Sequence, residues 1–266
     1  GQWLIDQASA RELTARELLR TMDTKLASVA SDHQLHTGAV AVGAALGDLN
    51  QSFEHRAALK GQLSGYPTGF RVIDGLTHGW QRRKMIVIAG ATSMGKSVLA
   101  TNFATTIAQH GERVLYFSFE MEQGELIERI LSSLSGVPLE KLRWWSVTED
   151  ECRRIAEAQE VIAALPLHIN DTASRSVSDI RSECRRMQAE MGLGAVVVDH
   201  FQLLDEAGGE NRVQQLTQAS RGLKILSGEL NVPVFALSQL TLSGDRDMKR
   251  EPYPDDLRDC KSLGHD

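Results

Sequence analysis

The octapeptide GATSMGKS at residues 90–97 carries the most specific chemical pattern in the sequence. It matches G-x-x-x-x-G-K-[ST], a phosphate loop in which consecutive backbone N–H groups surround a phosphate group. The apolar run MIVIA precedes it and the stretch VLATNFATTIA follows it, so the motif lies between a predicted strand and a predicted helix, as its chemistry requires. The residues expected to bind the nucleotide are Gly90, Ala91, Thr92, Ser93, Met94, Gly95, Lys96 and Ser97.

Two side chains of this loop have distinct expected roles. The Lys96 ammonium is expected to reach the β- and γ-phosphates, and the Ser97 hydroxyl is expected to ligate Mg²⁺. A helix that begins near Gly95 would point the positive end of its dipole at the anion. The predicted cofactors are ATP, or another nucleoside triphosphate, and Mg²⁺. The loop alone does not distinguish among kinases, switches, recombinases and motors.

Two carboxylates follow apolar runs elsewhere in the chain. Asp199 ends AVVVD, where it could hold Mg²⁺ through water; an Asp that caps the next helix is the alternative. Glu120 follows RVLYFSF, where it could orient or deprotonate a water that attacks the γ-phosphate; a surface Glu in a turn is the alternative. Because a hydrolase needs an activated water and a kinase does not, Glu120 favours hydrolysis.

Gln239 follows the apolar run VPVFALS. An uncharged amide there could hydrogen-bond the γ-phosphate and lose that bond after hydrolysis, which would relay the nucleotide state to a nearby loop. The polar stretch at 241–266 follows. It is either a DNA-contacting loop or a solvated loop with balanced charges, and composition does not decide between them. The basic segment at 181–186 is predicted to be an exposed amphipathic face.

Apolar runs alternate with amphipathic stretches from Gly65 onward. The predicted strands are 85–89, 113–119, 167–170, 195–199 and 232–238. The predicted helices are 96–110, 122–134, 149–164, 176–191 and 211–230. This alternation predicts an α/β fold with a central, mostly parallel sheet flanked by helices. Ligands of such sheets bind at the carboxyl ends of the strands, where the polar residues above fall.

Residues 1–64 precede that pattern and are predicted to form a helical linker or arm, with 65–266 as the compact ATPase domain. Apolar side chains recur at helical spacing over 11–30, which predicts one helix. A second helix, weakened by its glycines, is predicted over 36–61. The stretch GQLSGYPTGF, rich in Gly and Pro, predicts a boundary.

Composition limits the class of protein. A hydrophobic content of 42% with 24% charged residues is typical of a globular protein with a core. No apolar run approaches the roughly 18 residues of a membrane helix, and the N-terminus lacks a signal-peptide pattern. Cys152, Cys184 and Cys260 have no paired spacing, which predicts reduced thiols and a cytoplasmic location. The net charge of −6 argues against non-specific coating of nucleic acid, but it permits a local basic channel.

Several motifs occur together in the order GYPTGF, GATSMGKS, FSFEM, VVVDHFQLL, ASRGLKILSGELNVPVFALSQL and KREPYPDDLRD. The series resembles the C-terminal RecA-like motor domain of DnaB-type replicative helicases, from about Gly65 to the end of the chain. The preceding helices are similar to that family's linker. The resemblance implies a RecA-like P-loop NTPase that works as a homohexameric ring, hydrolyses nucleoside triphosphates, translocates along single-stranded DNA and unwinds the duplex at the replication fork. Primase and a helicase loader are the implied protein partners.

The resemblance also implies a role for each residue of the site. Lys96 and Ser97 correspond to the phosphate and magnesium residues. Glu120 corresponds to the catalytic base, Asp199 to the metal carboxylate and Gln239 to the γ-phosphate sensor. The helix at 11–30 is similar to the one that docks on the neighbouring subunit.

The implied DNA contacts lie in the last segment. Arg258, with the backbone near Asp259 and Lys261, falls in the family's loop that grips the DNA backbone. The family reads E-S-G after this arginine, where this chain has Asp-Cys-Lys, which indicates an altered strand contact. The chain begins with Gly and ends at Asp266, before the family's arginine-finger strands. We therefore expect a fragment that binds nucleotide and hydrolyses it poorly.

Two other functions remain open on the sequence alone. One is a RecA-like recombination or repair ATPase, which would pair strands or migrate branches instead of unwinding a fork. The other is a non-catalytic assembly module in which the nucleotide only fixes the shape of the ring. Substitution of Glu120 separates the second from an enzyme, because an assembly module has no turnover to lose.

Overall fold

The computed structural model describes residues 41–59, 61–172, 176–204 and 212–240. The chain divides into two compact units between Ala57 and Ala58, and each is described by itself. Helix α1 (Val42–Ala58) belongs to the first unit apart from its last residue, and it agrees with the second predicted helix. The predicted helix at 11–30 lies outside the described residues, as do Arg258, Asp259 and Lys261. The predicted domain boundary at 64/65 stays a prediction.

The second unit is built on a five-stranded sheet with the strand order β1-β5-β4-β2-β3. Every neighbouring pair is parallel, and the prediction of a parallel sheet is confirmed. The strands are β1 (Met85–Gly90), β2 (Val114–Ser118), β3 (Leu167–Asn170), β4 (Ala195–Asp199) and β5 (Val234–Gln239). Because β5 lies between β1 and β4, the ends of these three strands are adjacent.

Helices connect the strands and cover the sheet. They are α2 (Arg71–Thr77), α3 (Lys96–Gln109), α4 (Gln123–Ser135), α5 (Leu139–Trp144), α6 (Glu149–Ala164), α7 (Val177–Met191) and α8 (Arg212–Leu230), with a short 3₁₀ turn at Phe201–Leu203. Five of them agree with the predicted helices to within about two residues. The sequence analysis missed α2 and α5, which are seven and six residues long and bury no side chain, so neither leaves an apolar stripe in the sequence.

Strands β2 and β4 are buried along their whole length, which is why they appear as uninterrupted apolar runs. Successive side chains point to opposite faces of the sheet. Leu115 and Phe117 therefore join the hydrophobic cluster that includes residues of α7 and α8. Val114 and Tyr116 join the other cluster, with residues of α3. Each large apolar side chain buried in this way contributes about 1.5–3 kcal/mol.

Helix α6 begins with a capping box. The Thr148 side chain accepts a hydrogen bond from the Glu151 backbone N–H, and the Glu151 carboxylate accepts one from the Thr148 N–H at 2.8 Å. Lys141 Nζ also donates to Glu151 Oε1 at 2.8 Å. These hydrogen bonds lower the pKa of Glu151 from 4.5 to about 2, with the Lys141 bond the largest contribution. The buried Glu151 is thereby held as a carboxylate with both oxygens bonded.

The basic segment on α7 is a solvent-facing ion-pair surface, as predicted. Arg181 and Arg185 both donate to the Glu229 carboxylate, while Cys184 in the same segment is fully buried. Burial raises the pKa of the Cys184 thiol to about 12. Among the helices of the described ranges, none combines the length and the apolar character needed to cross a membrane.

Candidate active site

The phosphate loop connects the end of β1 to the start of α3, in the context that the sequence predicted. Gly95 adopts a left-handed conformation with φ of 84°, which a glycine reaches without the steric penalty of a Cβ atom. Lys96 Nζ donates to the carbonyl oxygens of Gly90 at 2.9 Å and Ala91 at 3.0 Å. The ammonium therefore lies against the loop that would surround a phosphate.

Partial burial lowers the pKa of Lys96, and the nearby negative charges of Glu120 and Asp199 oppose that effect. The balance matters because a lysine that binds phosphate must stay protonated. The two carboxylates thus belong to the electrostatic environment of the loop, although both are distant from it in the sequence. The five-strand order brings them there.

Asp199 is the most buried of the charged groups, with 1% of its surface exposed. The Tyr116 hydroxyl donates to its Oδ2 at 2.8 Å, and the Ser97 hydroxyl lies near the same carboxylate. Burial raises the pKa of Asp199, while the nearby Ser97 hydroxyl and the Tyr116 bond oppose the rise. Burial also raises the pKa of Tyr116 well above 10, so this phenol remains a donor.

The other carboxylate oxygen of Asp199 has no hydrogen-bond partner within the described ranges, although it is buried. A buried oxygen without a partner is costly in a folded protein. A divalent cation would provide that partner, and the neighbouring Ser97 hydroxyl and Asp199 carboxylate match the hydroxyl and carboxylate that hold Mg²⁺ in phosphate-loop enzymes. One ligand atom from each of Glu120, Asp199 and His200 lies within 4.8 Å of the others. The residues present therefore fit a bound divalent cation.

Glu120 lies just past the end of β2, beside Asp199. The Phe119 N–H donates to the Asp199 carbonyl at 2.6 Å, which brings the segment containing Glu120 against the end of β4. Glu120 Oε2 is 3.8 Å from His200 Nδ1, and the Glu120 side chain is 59% exposed. A carboxylate so placed is open to water and to a ligand in the cleft.

Gln239 ends β5 directly opposite Gly90 of β1. Its side-chain amide donates to the Thr92 hydroxyl in the phosphate loop. The predicted sensor residue and the predicted phosphate-binding loop are therefore in direct contact.

These groups line a cleft of about 740 Å³ at the carboxyl ends of the strands. Residues predicted from sequence that line it include Thr92, Ser93, Gly95, Lys96, Ser97, Glu120 and Gln239. Asp199 is buried near Ser97 and is not itself among the residues that line the cleft. The structure thus brings together the predicted phosphate, magnesium, base and sensor residues, whose roles stay predictions. The predicted DNA residues Arg258, Asp259 and Lys261 lie outside the described residues.

The sequence analysis missed Arg129 and His200, which also line the cleft. Arg129 is on α4, and its buried Nε has no hydrogen-bond partner in the described part of the chain. Glu125, which also lines the cleft, lies four residues before Arg129, so α4 presents both on one face; that spacing was the available signal. For His200 the signal was its position directly after Asp199.

A parallel sheet with a phosphate loop after its first strand, and with Asp199 and Glu120 at the ends of two other strands, defines a RecA-like P-loop NTPase. The family model of the DnaB-like helicase C terminal domain matches residues 65–266. The chain belongs to this family.

Curated relatives and solved structures agree with that assignment. The chain is 38% identical to the replicative DNA helicase DnaB of Geobacillus stearothermophilus over 209 residues and 36% identical to the replicative DNA helicase DnaC of Bacillus subtilis over 210 residues. The first match covers 77% of this chain and the second 78%, and each covers 46% of the relative. The chain thus spans about half the length of the curated relatives that it matches.

Two solved structures have the same fold. A solved ATPase domain superposes with a TM-score of 0.77 at 30% identity, covering 86% of this chain and 81% of its own. A DnaB-like replicative helicase, described with its interactions with primase, superposes with a TM-score of 0.76 at 26% identity. That match covers 99% of this chain and 62% of the helicase chain.

Proposed function

We propose that this chain is the motor part of a replicative DNA helicase. It hydrolyses ATP with Mg²⁺ and couples hydrolysis to translocation along single-stranded DNA and to duplex unwinding. The observation that carries the proposal is that Lys96, Ser97, Glu120 and Gln239 line one cleft, with Asp199 buried near Ser97, in a chain from the DnaB-like helicase family.

The loop residues and Lys96 hold the triphosphate in this proposal. The N–H groups of the loop and the N-terminus of α3 face the phosphates, and Lys96 exchanges its bonds to Gly90 and Ala91 for bonds to phosphate oxygens. Ser97 and Asp199 would hold Mg²⁺, which neutralises negative charge on the phosphate oxygens when bound. Tyr116 keeps the Asp199 carboxylate oriented by its 2.8 Å hydrogen bond.

Glu120 acts as the base that orients and deprotonates the attacking water. Its carboxylate is open to the cleft, and His200 limits its movement from one side, 3.8 Å away. Gln239 acts as the sensor of the γ-phosphate. Because its amide already touches Thr92 in the loop, a small rearrangement of the loop would transfer that donor to a phosphate oxygen.

The remaining parts of the proposal concern partners. Arg258, with the backbone near Asp259 and Lys261, contacts the DNA backbone. The chain assembles as a homohexamer through its linker helix and ATPase interfaces. Primase and a helicase loader bind this ring in the cytoplasm. Support comes from the family and from the related helicase described with its interactions with primase.

The test is Glu120→Gln in the complete protein, with Glu160→Gln on the exposed side of α6 as the matched control. Loss of a positioned base lowers turnover by about 10²–10⁴-fold. We expect ATP turnover in Glu120→Gln to fall in that range while the affinity for a fluorescent ATP analogue stays within about twofold. The control is expected to match the wild type in both assays.

Unchanged turnover in Glu120→Gln would overturn the proposed base. If turnover fell but the wild-type protein paired or migrated DNA strands without displacing them from a fork, a recombination ATPase would replace the helicase motor. If the wild-type protein bound ATP without any turnover, a nucleotide-dependent assembly module would replace both.

A further inference from the structure

Gln202 lies in the short 3₁₀ turn that follows β4, and buried residues precede and follow it. Phe201 and Leu204 are both fully buried, and the turn is closed by a 2.9 Å hydrogen bond from the Leu203 N–H to the His200 carbonyl. Arg212 at the start of α8 donates to the Gln202 carbonyl oxygen. Hydrogen bonds within the turn and from Arg212 thus fix the backbone around Gln202.

That side chain uses both ends of its amide on β5. Gln202 Nε2 donates to the Ser238 hydroxyl at 2.7 Å and to the Gln239 carbonyl at 3.1 Å. Gln202 Oε1 accepts from the Gln239 N–H at 3.1 Å. Both backbone polar groups of Gln239 are therefore bonded to one side chain.

The position of these bonds explains why a side chain is needed. The ladder between β4 and β5 covers only Val196–Val198 against Val234–Ala236. Strand β5 continues alone on that side to Gln239, while its other side stays paired with β1 as far as Gly90. The Gln202 amide supplies the donor and the acceptor that a longer β4 would have supplied.

The residue stabilised in this way is the one that contacts the phosphate loop. Gln239 donates through its side chain to Thr92, and the next residue, Leu240, donates its N–H to Gly90 at 3.1 Å. Gln202 itself is not among the cleft-lining residues of the described chain. Of the two β5 residues that Gln202 bonds, Gln239 is the one that lines the cleft, so an effect of Gln202 on a nucleotide is expected to pass through Gln239.

We propose that Gln202 is a positioning residue that fixes the backbone of Gln239, so that the Gln239 amide can distinguish a nucleoside triphosphate from a diphosphate. This rests on the proposed sensor function of Gln239 and adds the element that sets its geometry. Glutamine is required because one planar group must donate and accept at once. Glutamate has the same shape but loses the donors and brings a carboxylate against the Gln239 carbonyl.

The test compares Gln202→Glu and Gln202→Met with Gln239→Ala, the double variant Gln202→Glu/Gln239→Ala and the exposed control Gln159→Glu, all in the complete protein. The measured quantity is the ratio of the Kd for ADP to the Kd for a non-hydrolysable ATP analogue. Because lost hydrogen bonds are worth about 1 kcal/mol, we expect both Gln202 variants to lower this ratio by about fivefold. The Kd for ADP and the control are expected to stay within about twofold.

The double variant separates positioning from a general loss of stability. If Gln202 acts through Gln239, Gln202→Glu/Gln239→Ala has the same ratio as Gln239→Ala alone. Hydrogen exchange gives an independent readout, with faster exchange expected at the Gln239 amide, which donates to Gln202, in both Gln202 variants but not at the Glu151 amide in α6.

A wild-type ratio in both Gln202 variants, together with a lowered ratio in Gln239→Ala, would overturn the positioning role. Effects that multiply in the double variant would also overturn it. A wild-type ratio in Gln239→Ala would instead overturn the sensor function of Gln239 and this inference with it, whereas the base assigned to Glu120 would be unaffected.

Discussion

Two buried carboxylates in this molecule have opposite environments. Glu151 accepts hydrogen bonds on both oxygens, and these bonds lower its pKa to about 2. Asp199 accepts a bond from Tyr116 on one oxygen, has no partner within the described ranges for the other, and has its pKa raised by burial. Glu151 caps a helix, whereas Asp199 lies beneath the phosphate loop.

The difference separates a carboxylate that stabilises the fold from one that is available for chemistry. Each oxygen of the Glu151 carboxylate already accepts a hydrogen bond, and the Lys141 ammonium balances its charge, so Glu151 holds α5 and α6 together. A partly bonded carboxylate destabilises the folded state in isolation, and the divalent cation that we propose for this site would offset that cost. We therefore predict that a substitution of Asp199 lowers ATP turnover without lowering stability. A substitution in the cap that contains Glu151 is predicted to lower stability without lowering ATP turnover.

The largest expected effect is that of Asp199→Asn on turnover. The amide keeps an oxygen that can accept from Tyr116, but it removes the charge that holds a cation, so ATP turnover is expected to fall by about 10²–10³-fold. The melting temperature of the nucleotide-free protein is expected to stay the same or to rise, because a buried charge with an unbonded oxygen has been removed. ATP turnover within tenfold of wild type, or a clearly lower melting temperature, would contradict the claim that Asp199 is available for chemistry instead of stabilising the fold.

Thr148→Ala tests the other half, with a smaller effect. It removes the side-chain acceptor at the start of α6, and the loss of such a cap typically lowers the free energy of unfolding by about 1 kcal/mol. Urea unfolding measures this loss, with Glu160→Ala on the same helix as the control. At urea concentrations below the midpoint of unfolding, the ATP turnover of Thr148→Ala is expected to match that of the wild type. A tenfold fall in turnover would show that α6 belongs to the site.

The smallest expected effect is the pH dependence of Glu151→Gln. In the folded protein the pKa of Glu151 is about 2, below the ordinary 4.5, so the carboxylate stabilises the fold fully above pH 4.5. That contribution is lost as the pH falls from 4.5 towards 2. Urea unfolding at several pH values between 6 and 3 is therefore expected to give a difference between wild type and Glu151→Gln that shrinks at low pH. A constant difference would contradict the lowered pKa.

The regular elements of the second unit were predictable because they leave periodic signals. The buried strands β2 and β4 are continuous apolar runs, and α3, α4, α6, α7 and α8 have an apolar face. Helices α2 and α5 bury no side chain, so their formation depends on local capping and turn geometry, which apolar periodicity does not report.

The residues of the site were predictable where a motif or the end of a predicted strand marks them in the sequence. Lys96 and Ser97 follow from a motif, and Glu120, Asp199 and Gln239 follow from the rule that ligands bind at the carboxyl ends of parallel strands. The contact between Gln239 and Thr92 depends on β5 lying beside β1, and strand order is not encoded in any local pattern. Gln202 was missed for the same reason, since its role is recognised only by the β5 groups that it contacts across the fold.

The most direct test of the central claim is strand displacement from a forked DNA substrate by the complete protein with ATP and Mg²⁺. We predict that the wild type and the Glu160→Gln control displace the strand, while Glu120→Gln binds the same fork and displaces none. Displacement by Glu120→Gln at the wild-type rate would contradict the proposed motor function, because unwinding would then not depend on the hydrolysis assigned to this cleft.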